Sequence, residues 1–167
     1  MFRSSFALAG ICCLLVAPAS AGQRLPTSEK DRQNVVELAT SLETEPLSKK
    51  AKKNRQRVLD LIHAAPDLRV APCRAVLGEL LLVRSEEAQQ LFVQLEISTA
   101  KYLVEHPDAF EDRERALLGG LEGVLRTYDA MHHTKPALLI GFVDELAERQ
   151  ARDELDDYVR EALAECQ

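Results

Sequence analysis

Val35, Leu38, Ala39 and Leu42 recur at three- and four-residue intervals in a polar background, the spacing of one helix face. The pattern predicts a first helix from Ser28 to about Glu43, with Ser28 and Asp31 placed like a capping box. A second is expected from about Leu47 to Ala65, with Ala51, Val58, Leu61 and Ile62 inward and Pro66 as its stop. Pro72 fits the first turn of a third, in which Cys73, Leu77, Leu80 and Leu81 share a face. Ser85, followed by Glu86 and Glu87, should cap a fourth that carries Leu91, Phe92, Leu95, Tyr102 and Leu103 and ends before Pro107. The fifth runs from about Asp112 to His133 on a stripe of Leu117, Leu121, Val124, Leu125, Tyr128 and Met131. Thr134 is expected to cap a sixth, with Pro136 in its first turns and Leu139, Phe142, Val143 and Leu146 inward. A seventh covers about Arg152 to Cys166. No segment sustains the two-residue alternation of a strand. Short connections make neighbours antiparallel, so the expected fold is all-α, a single domain of six to seven antiparallel helices.

One internal similarity refines this picture. PDLRVAPCRAVLGELLLV (66–83) lies over PDAFEDRERALLGGLEGV (107–124) at an offset of 41, with eight of eighteen positions identical. A period near forty suits stacked helical pairs. Two helical hairpins side by side, with weak tetratricopeptide-like character, are one expectation. Chance matching of leucine-rich helices is the other.

The first 21 residues, MFRSSFALAGICCLLVAPASA, differ from the rest. Arg3 precedes an apolar run from Phe6 to Ala17, Pro18 breaks it, and Ala19-Ser20-Ala21 supplies small residues. These are the parts of a secretory signal peptide, with cleavage expected near Ala21-Gly22. The run is too short for a spanning helix, which needs roughly 20 residues. The mature chain, 22–167, is then one helical domain, secreted or periplasmic and not membrane-spanning. Loss of Arg3 takes the net charge from −6 to −7, a balance that argues against bulk nucleic-acid binding.

Cleavage would also leave two of the four cysteines, Cys73 and Cys166. Both fall on apolar stripes, Cys166 with Leu155, Val159 and Ala162, so both thiols should face the core. In an oxidising compartment such a pair is expected to bridge. The bridge would close about 94 residues, on the order of 4–5 kcal/mol in the chain-entropy model. A redox or metal-ligating pair would need a spacing such as C-x-x-C, which is absent.

Candidate chemistry is sparse. KKAKKNRQR (49–57) holds six cations, Lys49, Lys50, Lys52, Lys53, Arg55 and Arg57, with no acid between Glu45 and Asp60. The run could contact an anionic lipid or envelope polymer. It could also be a solvated face, or balance the acidic final helices. His132 and His133 are adjacent and point about 100° apart on a helix, which leaves Asp129, His132 and His133 as a weak metal-site candidate. His63 and His106 stand at helix ends, where the dipole favours a cation. Gly119, Gly120 and Gly123 lie inside a helix with no strand before them, so they suit a close helix contact rather than a phosphate loop. Glu96 and Lys101 lie among Gln94, Ser98 and Thr99 and could line a polar cleft. No nucleophile motif occurs, so no catalytic residue and no cofactor are expected.

GGLEGVLRTYDAMHHTKP, then DELAERQARDELDDYV and the late cysteine, resembles small secreted bacterial proteins of uncharacterised function that are helical. The resemblance implies a fold and a compartment, and no activity. The expected function is therefore an exported, non-catalytic interaction or scaffold protein that binds a protein or peptide. An anionic-surface binder through 49–57 and a small metal- or ligand-binding bundle are the other two classes.

Overall fold

The apolar stripes do form helices. A computed structural model describes residues 27–69 and 73–166. Among these stand six α-helices: α1 (Glu29–Thr44), α2 (Ala51–Ala64), α3 (Glu86–Glu105), α4 (Arg113–Thr134), α5 (Gly141–Ala151) and α6 (Leu155–Ala164). Three 3-10 segments, Pro66–Leu68, Arg74–Leu82 and Pro107–Ala109, join them, and no described residue is in a strand. The fold is a single all-α domain. The expected signal peptide and Pro72 lie outside the described residues.

The starts of α1, α3 and α4 follow the capping chemistry. The side chains of Ser28, Ser85 and Asp112 accept from the backbone N–H groups of Asp31, Ala88 and Arg115, satisfying first-turn donors that have no partner within the helix. Acids fill the first turns of α1 and α3, where the dipole favours them. Asp67 ties the start of the fold together, pairing with Arg32 of α1 and accepting from Thr27.

Four expectations need correction. The second helix starts at Ala51, not Leu47, because 46–50 form turns after Pro46. The third is a 3-10 segment broken at Leu77 (φ −134°, ψ 26°) rather than an α-helix. Its three-residue period buries Leu77 and Leu80 together and turns Leu81 and Leu82 outward, Leu82 being 80% exposed. The sixth does not start at Thr134: α4 runs through that residue, and the Thr134 hydroxyl donates back to the Ala130 carbonyl. Pro136 holds the preceding residue out of the helical region, and α5 waits until Gly141, which leaves Leu139 exposed and Ile140 buried. The last helix starts at Leu155 because Asp153 adopts φ 58°, a left-handed conformation that aspartate tolerates better than most residues.

α3 and α4 form the largest interface, and their hairpin carries two apolar cores. One gathers Val35, Ala39, Leu42, Val58, Ile62 and Leu68 around Ile97, Ala100 and Leu103. The other gathers Val76, Leu77, Val143, Leu146, Leu155 and Val159 around Leu91, Leu121, Val124 and Met131. α1 and α2 thus cover one half of the central hairpin, and the 74–82 segment, α5 and α6 cover the other. The internal similarity has a structural counterpart only at its start. Pro66–Leu68 and Pro107–Ala109 are both 3-10 turns after a helix, but one precedes a broken 3-10 segment and the other a 22-residue α-helix.

Cys73 and Cys166 are bridged, with Cα atoms 5.7 Å apart. The bridge pins the end of α6 beside the 74–82 segment. Tyr158 of α6 reinforces it by donating to the Val76 carbonyl at 2.9 Å.

Candidate functional site

The most concentrated polar chemistry lies inside the α1–α3–α4 junction. Glu43 stands in the last turn of α1, where the dipole disfavours an anion, and is only 4% exposed. Its Oε1 accepts from Ser98 Oγ at 2.8 Å. Its Oε2 accepts from Lys101 Nζ at 2.8 Å and Arg126 Nε at 3.1 Å. Burial pushes the carboxyl up, and the donors Lys101, Arg126 and Ser98 outweigh it, so Glu43 ionises below the ordinary glutamate value of 4.5. Gln94 extends the network by donating to Ser98 Oγ at 3.0 Å. Both carboxylate oxygens are thus engaged from within the fold. Glu43 is placed as a structural anchor, not as a group that reaches a substrate.

The glycines of α4 make this junction possible. A Cβ on Gly119 would run into the Tyr102 ring, one on Gly120 into Thr99, and one on Gly123 into Ser98 and to within 2.8 Å of Glu43 Oε1. Side chains of α3 occupy the space a larger residue would need. The three glycines are contact positions, as their shared stretch of helix predicts.

Beside the junction lies a cleft of about 330 Å³ where the two cores meet. Leu68 and Val93 come from one core, and Phe92, Leu95, Leu117 and Cys73 from the other. Thr99 forms part of the wall. Its buried hydroxyl lies against Gly120 and has no hydrogen-bond partner among the described residues. His63, Arg69, Arg74 and Glu96 also line the cleft and are exposed. His63 and Glu96 approach to 3.2 Å across α2 and α3. The sequence brought Glu96 and Lys101 together as one cleft pair. The structure separates them, sending Glu96 to the cleft and Lys101 to the buried junction.

The basic run opens α2 and faces solvent. Lys49, Lys50, Lys52, Lys53 and Arg57 are exposed, whereas Arg55 is half-buried and donates to Gln90 Oε1 at 3.1 Å. The run does not balance the acidic final helices, because α2 packs on α1 and α3 while α6 packs on α4 and the 74–82 segment. A second hollow of about 380 Å³ separates it from α3, with Lys52 and Arg55 facing Glu86 and Glu87. Lys135 pairs with Glu87 there at 2.6 Å.

The two adjacent histidines diverge. His133 turns to Asp129, with its Nδ1 3.6 Å from the carboxylate, and His132 meets the Tyr128 ring edge-on. No group of three His, Cys, Asp or Glu side chains placed to hold a metal occurs among the described residues. Tyr128 acts locally instead. Its hydroxyl donates to Asp144 at 2.7 Å and accepts from the Ile140 N–H at 3.1 Å, which fixes the start of α5. Burial and the Asp144 bond push its pKa up to about 12.

Glu43, Arg69 and Arg74 were not singled out by sequence. Glu43 carries one local signal, since it follows Val35 and Ala39 at helical spacing. The two arginines carry none, because their role depends on a fold that brings α2, α3 and the 3-10 segments together. Among the described residues no helix is long and apolar enough to cross a membrane. Comparison with known proteins finds no matching family, no matching curated protein and no matching solved structure.

Proposed function

We propose that this is an exported, non-catalytic interaction protein that binds a protein or peptide partner in the cleft between its two cores. The observation that carries the reading is the cleft itself: apolar walls from both cores beneath an exposed polar rim, the build of a recognition pocket. Glu43, the most deeply buried acid nearby, is already held by three donors, which favours binding over acid–base chemistry at this place. Export rests on the expected signal peptide, on the resemblance to small secreted bacterial proteins, and on a disulfide that suits an oxidising compartment. A photo-crosslinking residue in place of Phe92 tests the reading in the exported fraction. One crosslinked species is expected, absent when the probe replaces exposed Glu148. The identified partner should bind purified protein at least tenfold more weakly after Phe92→Ala. Equal labelling at both positions, or unchanged affinity, would contradict it.

A second reading has its own observation. Five cations of the 49–57 run are solvent-exposed, two in the turn before α2 and three at the start of the helix, a surface that suits an anionic lipid or polymer. Reversing Lys49, Lys50, Lys52 and Lys53 should abolish binding to anionic vesicles at near-physiological salt if this surface is used. Vesicle binding that is absent before the reversal would remove the reading.

A further inference from the structure

Resting on the peptide-binding reading of the cleft, we infer that the partner segment is acidic, with a large apolar side chain seated in the cleft and a neighbouring carboxylate held at its mouth. The argument is charge complementarity. The whole chain is acidic, at −6, yet the cleft mouth is not. Arg69 and Arg74 flank it, both are exposed, and neither makes an ion pair or side-chain hydrogen bond among the described residues. Among the described residues, six of the ten other arginines meet a carboxylate: Arg32, Arg115, Arg126, Arg149, Arg152 and Arg160. Glu96, the one acid on the rim among the described residues, is already in contact with His63. A guanidinium offers a rigid fork of donors that matches a carboxylate, so two of them at one opening select an anion there.

The walls set the rest of the specificity. Phe92, Val93, Leu95 and Leu117 present apolar surface and no donor or acceptor of their own side chains. The cleft lies at the lower end of the usual range for ligand sites, roughly 300–1,000 Å³, and suits one or two apolar side chains better than a large cofactor. A leucine or phenylalanine beside aspartate or glutamate fits both features. A basic segment would meet unpaired arginines and be rejected by like charge.

Selection of a displayed library of random dodecapeptides on the disulfide-bonded protein tests this, with counter-selection on the Phe92→Asp variant. The expected result is enrichment of sequences in which an acid lies next to a large apolar residue. A synthetic peptide of the enriched sequence should bind at least tenfold more weakly to the Arg69→Glu/Arg74→Glu variant, while its acid-to-lysine analogue binds that variant more tightly than wild type. Both arginines are exposed, so thermal melts should match wild type and separate lost binding from lost fold. Cleft-dependent peptides without acids, or affinity unchanged by the double reversal, would overturn the acidic inference and leave the peptide-binding reading standing. No cleft-dependent enrichment at all would overturn both.

Discussion

Glu43 shows how one residue commits the fold at a cost that must be offset locally. An anion at the end of a helix, removed from water, is unfavourable twice over. Ser98, Lys101 and Arg126 reverse that balance from two other helices. Glu43→Gln should destabilise the protein by about 3 kcal/mol at neutral pH, within the range for a broken buried pair. Lys101 is the partner left stranded, because its side chain is 13% exposed, whereas that of Arg126 is half in solvent and has Glu122 nearby. The folded-state pKa is depressed, so the stabilising effect is complete above the unfolded value near 4.5 and fades as pH falls through the lower folded value. Urea denaturation should therefore show the wild-type advantage shrinking below about pH 4.5. An advantage independent of pH would argue that the carboxylate charge is not what matters. Gly123 is the companion case. Alanine there gains about 1 kcal/mol of helix propensity but overpacks Ser98 and Glu43, which costs about 1–3 kcal/mol. Net destabilisation is expected for Gly123→Ala, and net stabilisation for Gly141→Ala, where a Cβ meets nothing within 4 Å.

At the scale of elements, helix existence was readable and helix identity less so. Ser28 and Ser85 mark true starts because a capping bond is local and depends on residues three apart. The stretch RAVLGELLL could not be typed from its pattern. A run this apolar satisfies a three-residue and a 3.6-residue period almost equally, and the position of Leu81 alone tells them apart. Thr134 misled because it is a common helix-start residue, and here Pro136 overrode that preference. The last helix, expected from about Arg152, starts later because Asp153 takes a left-handed turn that its pattern does not show. The polar junction was half visible: Gln94, Ser98, Thr99 and Lys101 stood together on α3, but Glu43 and Arg126 reach them from far along the chain. The Cys73–Cys166 bridge was readable because both thiols sat on apolar stripes. It holds the 74–82 segment, whose 3-10 geometry is intrinsically weak, against α6. Cys166→Ser should cost about 2–5 kcal/mol by denaturant titration. A loss below about 1 kcal/mol would mean that the α6 packing of Leu155 and Val159 suffices without the bridge.

The whole molecule is a central α3–α4 hairpin with one core on each half and a cleft where the cores meet. That arrangement explains why the cleft has walls from both clusters, and why two arginines from otherwise separate 3-10 segments stand at one opening. It also places the basic run on α2, lining a different hollow, so cleft binding and surface binding can be told apart. The most direct test of the central claim is amide hydrogen exchange on the disulfide-bonded protein, with and without the partner captured at Phe92. The 3-10 segments beside the cleft should exchange fast enough when free to report its occupation. The expected result is slowed exchange at 68–69, 73–77 and 92–96, with 49–57 unchanged. Slowing confined to 49–57, with the cleft segments unaffected, would contradict the account and assign binding to the basic face of α2.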